Sequence, residues 1–261
     1  MRPGDKHAKN ADGGRLADVF LRHDRGVDLT SALVHDALMN LTEAIRSRVS
    51  CRAFLDTPVP VHTLRSILET AKLAPSGGNL QPWRVHVLTG TPLKDFLALI
   101  RSKLPEQPQG EGTEYNVYPP NLKEPYRSRR FKCGEDLYAT ISVPRADRPG
   151  RLAQFARNYE LFGAPVLMFF VIDRDMGADQ WADVGMFMQN IMLLARDHGL
   201  HTCAQESWAS WHRTVTKFLG LPAELMLFCG LSIGFRDETA PINRLRTDRA
   251  PLEEFVTFHT D

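Results

Sequence analysis

The sequence predicts one domain in which helices and strands share a single core, and three observations predict it. Two apolar runs bounded by turn signals, "APVLMFFVID" and "ELMLFCGLSIGF", read as strands buried on both faces. A long segment between them, "QWADVGMFMQNIMLLARDHG", is apolar around most of a helical circumference. The chain has 261 residues with 43% hydrophobic content, enough for one large core.

The elements follow in order. Residues 1–30 are polar, glycine-bearing and without period, a flexible N-terminal arm, and the domain spans residues 31–261. From Asp36, apolar positions Leu38, Leu41 and Ile45 give a helix running into "RVSCRAF". Leu64, Ile67, Leu68 and Ala71 mark the face of a second helix that must stop before Pro75. "SGGN" is its loop, "WRVHVL" alternates as a strand, and "TPLKDFLALI" opens a third helix with Thr91 as N-cap and Pro92 in its first turn. Residues 102–151 are proline-rich, charged and without period, and are expected to form a lid-like insertion.

Then come the first buried strand, the long helix ended by Gly199, and "HTCAQESWA" as a polar connection. "WHRTVTKFLGLP" is a short helix stopped by Gly220 and Pro222, followed by the second buried strand and an extended tail. A helix apolar nearly all round needs cover on every side, and a second copy of the chain supplies it most simply, so a homodimer is expected.

Composition narrows the function. With 32 basic and 31 acidic residues scattered along a chain of net charge +1, no nucleic-acid surface is indicated, and any anion site must be local. Cys51, Cys133, Cys203 and Cys229 stand far apart, which suits a reducing cytoplasm. The N-terminal stretch has no signal-peptide core, and the apolar runs fall short of the roughly 20 residues that cross a membrane. "GLSIG" has the spacing of a hydrolase elbow, but "FRDETAP" follows where a helix is required, so Ser232 reads as a core serine. His198 and His201 lack further ligands at a metal interval and read as a helix-end cap and a surface residue; no metal is expected. Neither a P-loop nor a dinucleotide fingerprint occurs.

Two stretches carry chemistry. In extended backbone Arg48, Ser50 and Arg52 fall on one side, so two guanidinium forks and a hydroxyl converge on a phosphate-sized target. An equally local alternative is a solvated helix end, where arginine complements the dipole. "PSGGNLQPW" offers backbone amides beside two glycines and the side-chain amides of Asn79 and Gln81, suited to the edge of a planar heterocycle; an ordinary helix-stopping turn is the alternative.

The ordered set "IRSRVSCRAF", "APSGGNLQPW", "GLHTCAQESW" and "NRLRTDRAP" resembles the FMN-dependent nitroreductase family, with its nitrobenzoate-reductase branch most similar. The resemblance implies an α+β fold, a central mixed sheet flanked by helices, and an intertwined homodimer with an exchanged terminal arm and FMN at its interface. It implies that Arg48, Val49, Ser50, Arg52 and Arg249 hold the FMN phosphate end, with Thr247 beside the ribityl chain. Pro75, Ser76, Gly77, Asn79 and Gln81 would reach the flavin from the other subunit. Ala204, Gln205, Glu206 and Ser207 would lie along the ring, with the Glu206 backbone beside its reactive N5. Ala204 and Ser207 depart from relatives with proline and glycine there. The activity so implied is ping-pong transfer of hydride from NADH or NADPH, through flavin N5, to a nitroaromatic or quinone. No side chain need act as acid or base. Tyr115, Tyr126, Phe131 and Trp208 are candidate walls for a small aromatic substrate. Reductive dehalogenation, other flavin chemistry, or flavin binding without turnover are the alternatives.

Overall fold

The computed structural model describes residues 39–261. The expected arm of residues 1–30 and the helix start at Asp36 and Leu38 lie outside them. Seven helices are described: α1 (Leu41–Ser47), α2 (Val61–Ala71), α3 (Gly90–Lys103), α4 (Tyr126–Thr140), α5 (Arg148–Ala156), α6 (Ala178–Asp197) and α7 (His212–Leu219). Four strands, β1 (Arg84–Thr89), β2 (Val166–Asp173), β3 (His201–Gln205) and β4 (Leu225–Gly234), form one sheet in the order β1-β2-β4-β3. All three ladders are antiparallel; the parallel contribution to the expected mixed sheet is an isolated bridge from Ser50 to Thr202 on β3.

The unbroken apolar run of β2 follows from burial on both faces. Val166, Met168, Phe170 and Ile172 point into a core with α2 and α6, while Leu167 and Phe169 point into a second core with α3 and the segment around Trp208 and Trp211. Each such side chain contributes about 1.5–3 kcal/mol on leaving water. On α6, Val184, Phe187, Met188, Ile191 and Ala195 face the sheet, and Trp83 stacks on Phe187 at 4.8 Å. Other apolar positions are uncovered in the single chain: Leu41 is 67%, Ile45 52% and Met186 40% exposed.

Several expectations need correction. The helix after β1 starts at Gly90 with Thr89 at its N-cap, not at Thr91, because Gly90 adopts φ 56° and turns the chain early. "HTCAQ" is the strand β3 rather than a polar connection, since its backbone pairs along β4 and the Gln205 side chain finds partners indoors. Within residues 102–151 lies the 15-residue helix α4, which has no buried residue and so no apolar stripe to announce it. Ser232 is fully buried and donates to Gln205 Oε1, and no α-helix follows β4 among the described residues, which removes the hydrolase reading. Among the described residues no helix is long and apolar enough to cross a membrane.

His201 is buried, not at the surface, and this has a measurable result. Burial, with Arg196, Arg236 and Arg246 nearby, pushes its pKa down to about 3. The unfolded chain takes up a proton at His201 near pH 6.5, whereas the folded chain resists until about pH 3. Acidification therefore favours unfolding, and His201 should cost about 1.4 kcal/mol of stability per pH unit across that window. Urea unfolding at pH 7 and pH 5 is expected to show a shallower loss for His201→Gln than for the wild type.

Candidate functional site

The stretch 48–54 is bound along the free edge of β3. Cys51 N donates to Thr202 O at 2.9 Å, and Cys51 and Ala53 are buried while Arg48, Ser50 and Arg52 remain half-buried on the other side. The alternation expected from an extended backbone is thus present. Its stop signal is clear: α1 ends with Arg48 already extended at the C-cap.

Asn243, from the far end of the chain and only 2% exposed, fixes this strand. Its Oδ1 accepts from Arg52 N at 2.8 Å, and its Nδ2 donates to Ala53 O at 2.8 Å and Asp237 O at 2.9 Å. Asn243 opens the stretch "NRLRTDRAP", whose expected roles fell on Thr247 and Arg249 alone. Asn243→Ala strands one donor, Arg52 N, and one acceptor, Asp237 O, while Ala53 O keeps Asp237 N at 3.0 Å; at about 1–3 kcal/mol for each group left unsatisfied it should lower the unfolding midpoint while displacing the Arg52 backbone.

Six residues beyond Asn243, Arg249 comes back to the arginine stretch. Its Nη1 donates to Thr247 Oγ1 at 2.7 Å, and its charge, after burial, depresses the pKa of Arg48. Arg48 and Arg52 in turn both act on buried Cys203. Among the described residues no carboxylate pairs with Arg48, Arg52 or Arg249 within 4.0 Å. Like charges are thus held together without a protein counter-ion, an arrangement suited to an external dianion. Arg249, Thr247, Lys132 and Ser128 also line a cleft of about 840 Å³ between α4 and the tail.

The glycine loop is held elsewhere. Gly77–Asn79 forms one 3-10 turn with Gly78 at φ 57°, Asn79 at 58° and Gln81 at 51°. Ser76 Oγ accepts from Gln81 N at 3.0 Å, so that hydroxyl shapes the turn, while Pro75, Gly77, Asn79 and Gln81 are exposed. Gly77 N donates at 3.2 Å to Asp183 on α6, a carboxylate only 5% exposed. An acid among the apolar residues of the buried face of α6, beside Val184 and Phe187, was a signal that could have been found. Arg196, also on α6, donates to Ser47 beside Arg48 at 3.2 Å. The two anchors are 13 positions apart (196 − 183), or roughly 20 Å along the helix axis, so one chain holds its two motifs at opposite ends of α6.

At the end of β3 the pleat divides the third motif. Ala204 and Glu206 face outward, while Gln205 is 2% exposed and its side chain is used inside, donating to Asn158 O at 2.7 Å and accepting from Ser232 and Trp208. The Gln205 side chain is therefore not a ligand group. Val49 and Ser207 are half-buried. Trp208 is wholly buried against Phe96, Tyr159 and Phe169 and cannot wall a substrate site. Tyr115 is pinned by Trp181 and Phe228 and donates to Phe228 O, so it too packs; burial raises its pKa, with smaller contributions from Cys229 and Glu206. Tyr126 is 60% and Phe131 49% exposed on α4, with Arg145 4.8 Å over the Phe131 ring.

Relatives share this arrangement of elements. The chain is 37% identical over 214 residues to 4-nitrobenzoate reductase of Pseudomonas putida, covering 82% of this chain and 93% of that one. It is 36% identical over 218 residues to nitrobenzene nitroreductase of Ectopseudomonas oleovorans, covering 84% and 96%. Among solved structures, the FMN and NADPH-dependent nitroreductase NfnB of Sphigopyxis sp. strain HMH superposes with a TM-score of 0.82 at 44% identity, covering 85% of this chain and all of that one. The FMN-dependent NfnB of Mycobacterium smegmatis in complex with NADPH gives 0.80 at 27% identity, covering 84% and 97%. With the nitroreductase family pattern matching residues 45–235, over the sheet and both motif-bearing ends of α6, the chain belongs to the nitroreductase family.

Proposed function

We propose that the protein is an FMN-dependent oxidoreductase that uses NAD(P)H to reduce nitroaromatic compounds or quinones. The observation that carries this reading is the meeting of Arg48 and Arg249, two like charges without a protein counter-ion, on a nearly neutral chain. That donor set fits a phosphomonoester: planar forks bind its oxygens in pairs and stay charged. Arg48, Ser50, Arg52 and Arg249 would hold the FMN phosphate, with Val49 alongside and Thr247 at the ribityl chain. When bound, FMN would supply the redox chemistry that couples NAD(P)H to the oxidant in a ping-pong cycle.

The chain's own groups position and exclude. Asp183 holds the turn through Gly77 N, and Ser76 O takes Asn79 N, so the Gly78 amide and the side chains of Asn79 and Gln81 are what the turn presents, with Pro75 and Ser76 framing it. The outward backbone at Ala204 and Glu206 continues from a strand pinned by Gln205, so it offers donors in a fixed place. Tyr126 and Phe131 on exposed α4 remain the substrate-facing aromatics, and residues 102–151 form the lid.

The assembly we infer is a homodimer. The roughly 20 Å between the two anchors on α6 is bridged if each site takes its arginines from one chain and its glycine turn from the other. Exposed Leu41, Ile45 and Met186, with Phe255 and Phe258 on the tail, supply apolar surface for that seam. A reducing cytoplasm suits the four unpaired cysteines.

The test is direct. Purified protein should be yellow, release FMN on denaturation, bleach anaerobically with NADPH or NADH, and recover its colour on adding 4-nitrobenzoate. A colourless protein that takes up no FMN ends the proposal.

A further inference from the structure

A second group of cations, distinct from the Arg48–Arg249 pair, surrounds the backbone carbonyl of Asn243. Arg236 Nη2 donates to it at 2.7 Å and Arg246 Nη1 at 3.0 Å, so two guanidiniums share a single oxygen. Arg196 stands close enough that Arg236 lowers its pKa, after burial, and Arg196, Arg236 and Arg246 all bear on His201. Polar nitrogens are left without hydrogen bonds here. Arg236 Nε is buried without a hydrogen-bond partner, on a side chain 11% exposed, and His201 Nδ1 is buried without one on a residue 6% exposed.

Two carboxylates face the group. Glu238 lies 3.3 Å from Arg236 Nε without hydrogen-bond geometry and is 70% exposed, and Glu43 is exposed on α1. Solvent-facing carboxylates are screened and offset only part of a half-buried cluster. Buried polar groups in native proteins are ordinarily satisfied. Forked donors with an orphaned N–H, crowded against like charge, match a tetrahedral oxyanion that takes several charge-assisted hydrogen bonds at once.

We propose that Arg236, Arg246 and Arg196, with His201 at the floor, form a second anion site that takes a phosphate-class dianion. It is separate from the phosphate end of the flavin site, and Asn243 joins the two: its side chain sets Arg52, while its carbonyl gathers Arg236 and Arg246. An occupant here would fix Asn243 and so steady the Arg52 strand. The site rests on its own residues and does not require the flavin reading.

Inorganic phosphate is the probe, titrated at constant ionic strength into protein saturated with FMN and followed by 31P NMR and calorimetry. The expected result is one saturable phosphate per chain that leaves the FMN in place. Arg246 is exposed, so Arg246→Ala should fold and keep its FMN stoichiometry, yet lose phosphate affinity at least roughly tenfold, as one charge-assisted bond implies. Arg236→Gln should do the same, and Arg48→Ala should leave this phosphate in place. Absence of saturable binding, or equal affinity in wild type and Arg246→Ala, overturns the site. If the protein takes up no FMN, the same titration on the chain as purified still decides: loss with Arg246→Ala supports the second site, and loss with Arg48→Ala alone overturns it.

Discussion

Arg48→Ala combined with Arg249→Ala is expected to yield folded, colourless protein. Each charge-assisted hydrogen bond is worth roughly 1.5–3 kcal/mol, so removing two donors should weaken FMN at least roughly 100-fold, with less than full additivity between neighbours. The fold should not suffer. Arg48 makes no side-chain hydrogen bond among the described residues, and Arg249 bonds only within its own turn at Thr247 and Asp248. Without ligand the pair repel each other, so the apo double variant should unfold at the same denaturant concentration as apo wild type or slightly above it. Flavin fluorescence titration beside urea unfolding separates the two quantities. Full flavin content in the double variant would show the phosphate to be held elsewhere.

Trp208→Ala should act in the opposite sense, on stability first. The indole is fully buried, meets Phe96, Tyr159 and Phe169 with centroids 5.3–5.5 Å away, and donates from Nε1 to Gln205 Oε1 at 3.4 Å. Gly230 on β4 lies directly beneath it, where an added Cβ would collide with the ring. Truncation leaves a large cavity on one face of the sheet and removes one of the two donors to Gln205 Oε1, at about 3–5 kcal/mol. Since Gln205 also ties β3 to Asn158, the strand end carrying Ala204 and Glu206 should loosen with it. Thermal unfolding is the measurement. An unchanged Tm with an altered KM for nitrobenzoate would instead make Trp208 part of the substrate wall, as its sequence position suggested.

What could be read from residue order was whatever produces a period or a motif. β2 and β4 stood out because burial on both faces demands continuous apolar side chains, and α6 because its apolar residues outnumber one face. The arginine stretch was legible because an extended backbone separates Cys51 and Ala53 from Arg48, Ser50 and Arg52 by alternation alone. What escaped was settled by tertiary contact. β3 buries polar His201, Thr202 and Gln205, only the last of them with side-chain hydrogen bonds, so its composition reads as a link. α4 buries nothing and has no stripe. Asn243 and Asp183 do their work across long sequence separations, and Trp208 stood open between substrate wall and core because aromatic content does not say which side of a strand end it falls on.

The central claim is that each flavin site is built from both chains: arginines from one, the glycine turn from the other. It can be tested by coexpressing two defective chains with different tags. One carries Arg48→Ala and Arg249→Ala; the other carries Gly77→Leu, whose Cβ meets no protein atom within 4 Å and so should not disturb the fold. Each alone should be colourless. In a mixed dimer one site collects every defect and its mate collects none, so random pairing should return FMN to about a quarter of all sites. A coexpressed mixture as colourless as its parents, with mixed dimers confirmed by their tags, would place the whole site within one chain and contradict the account.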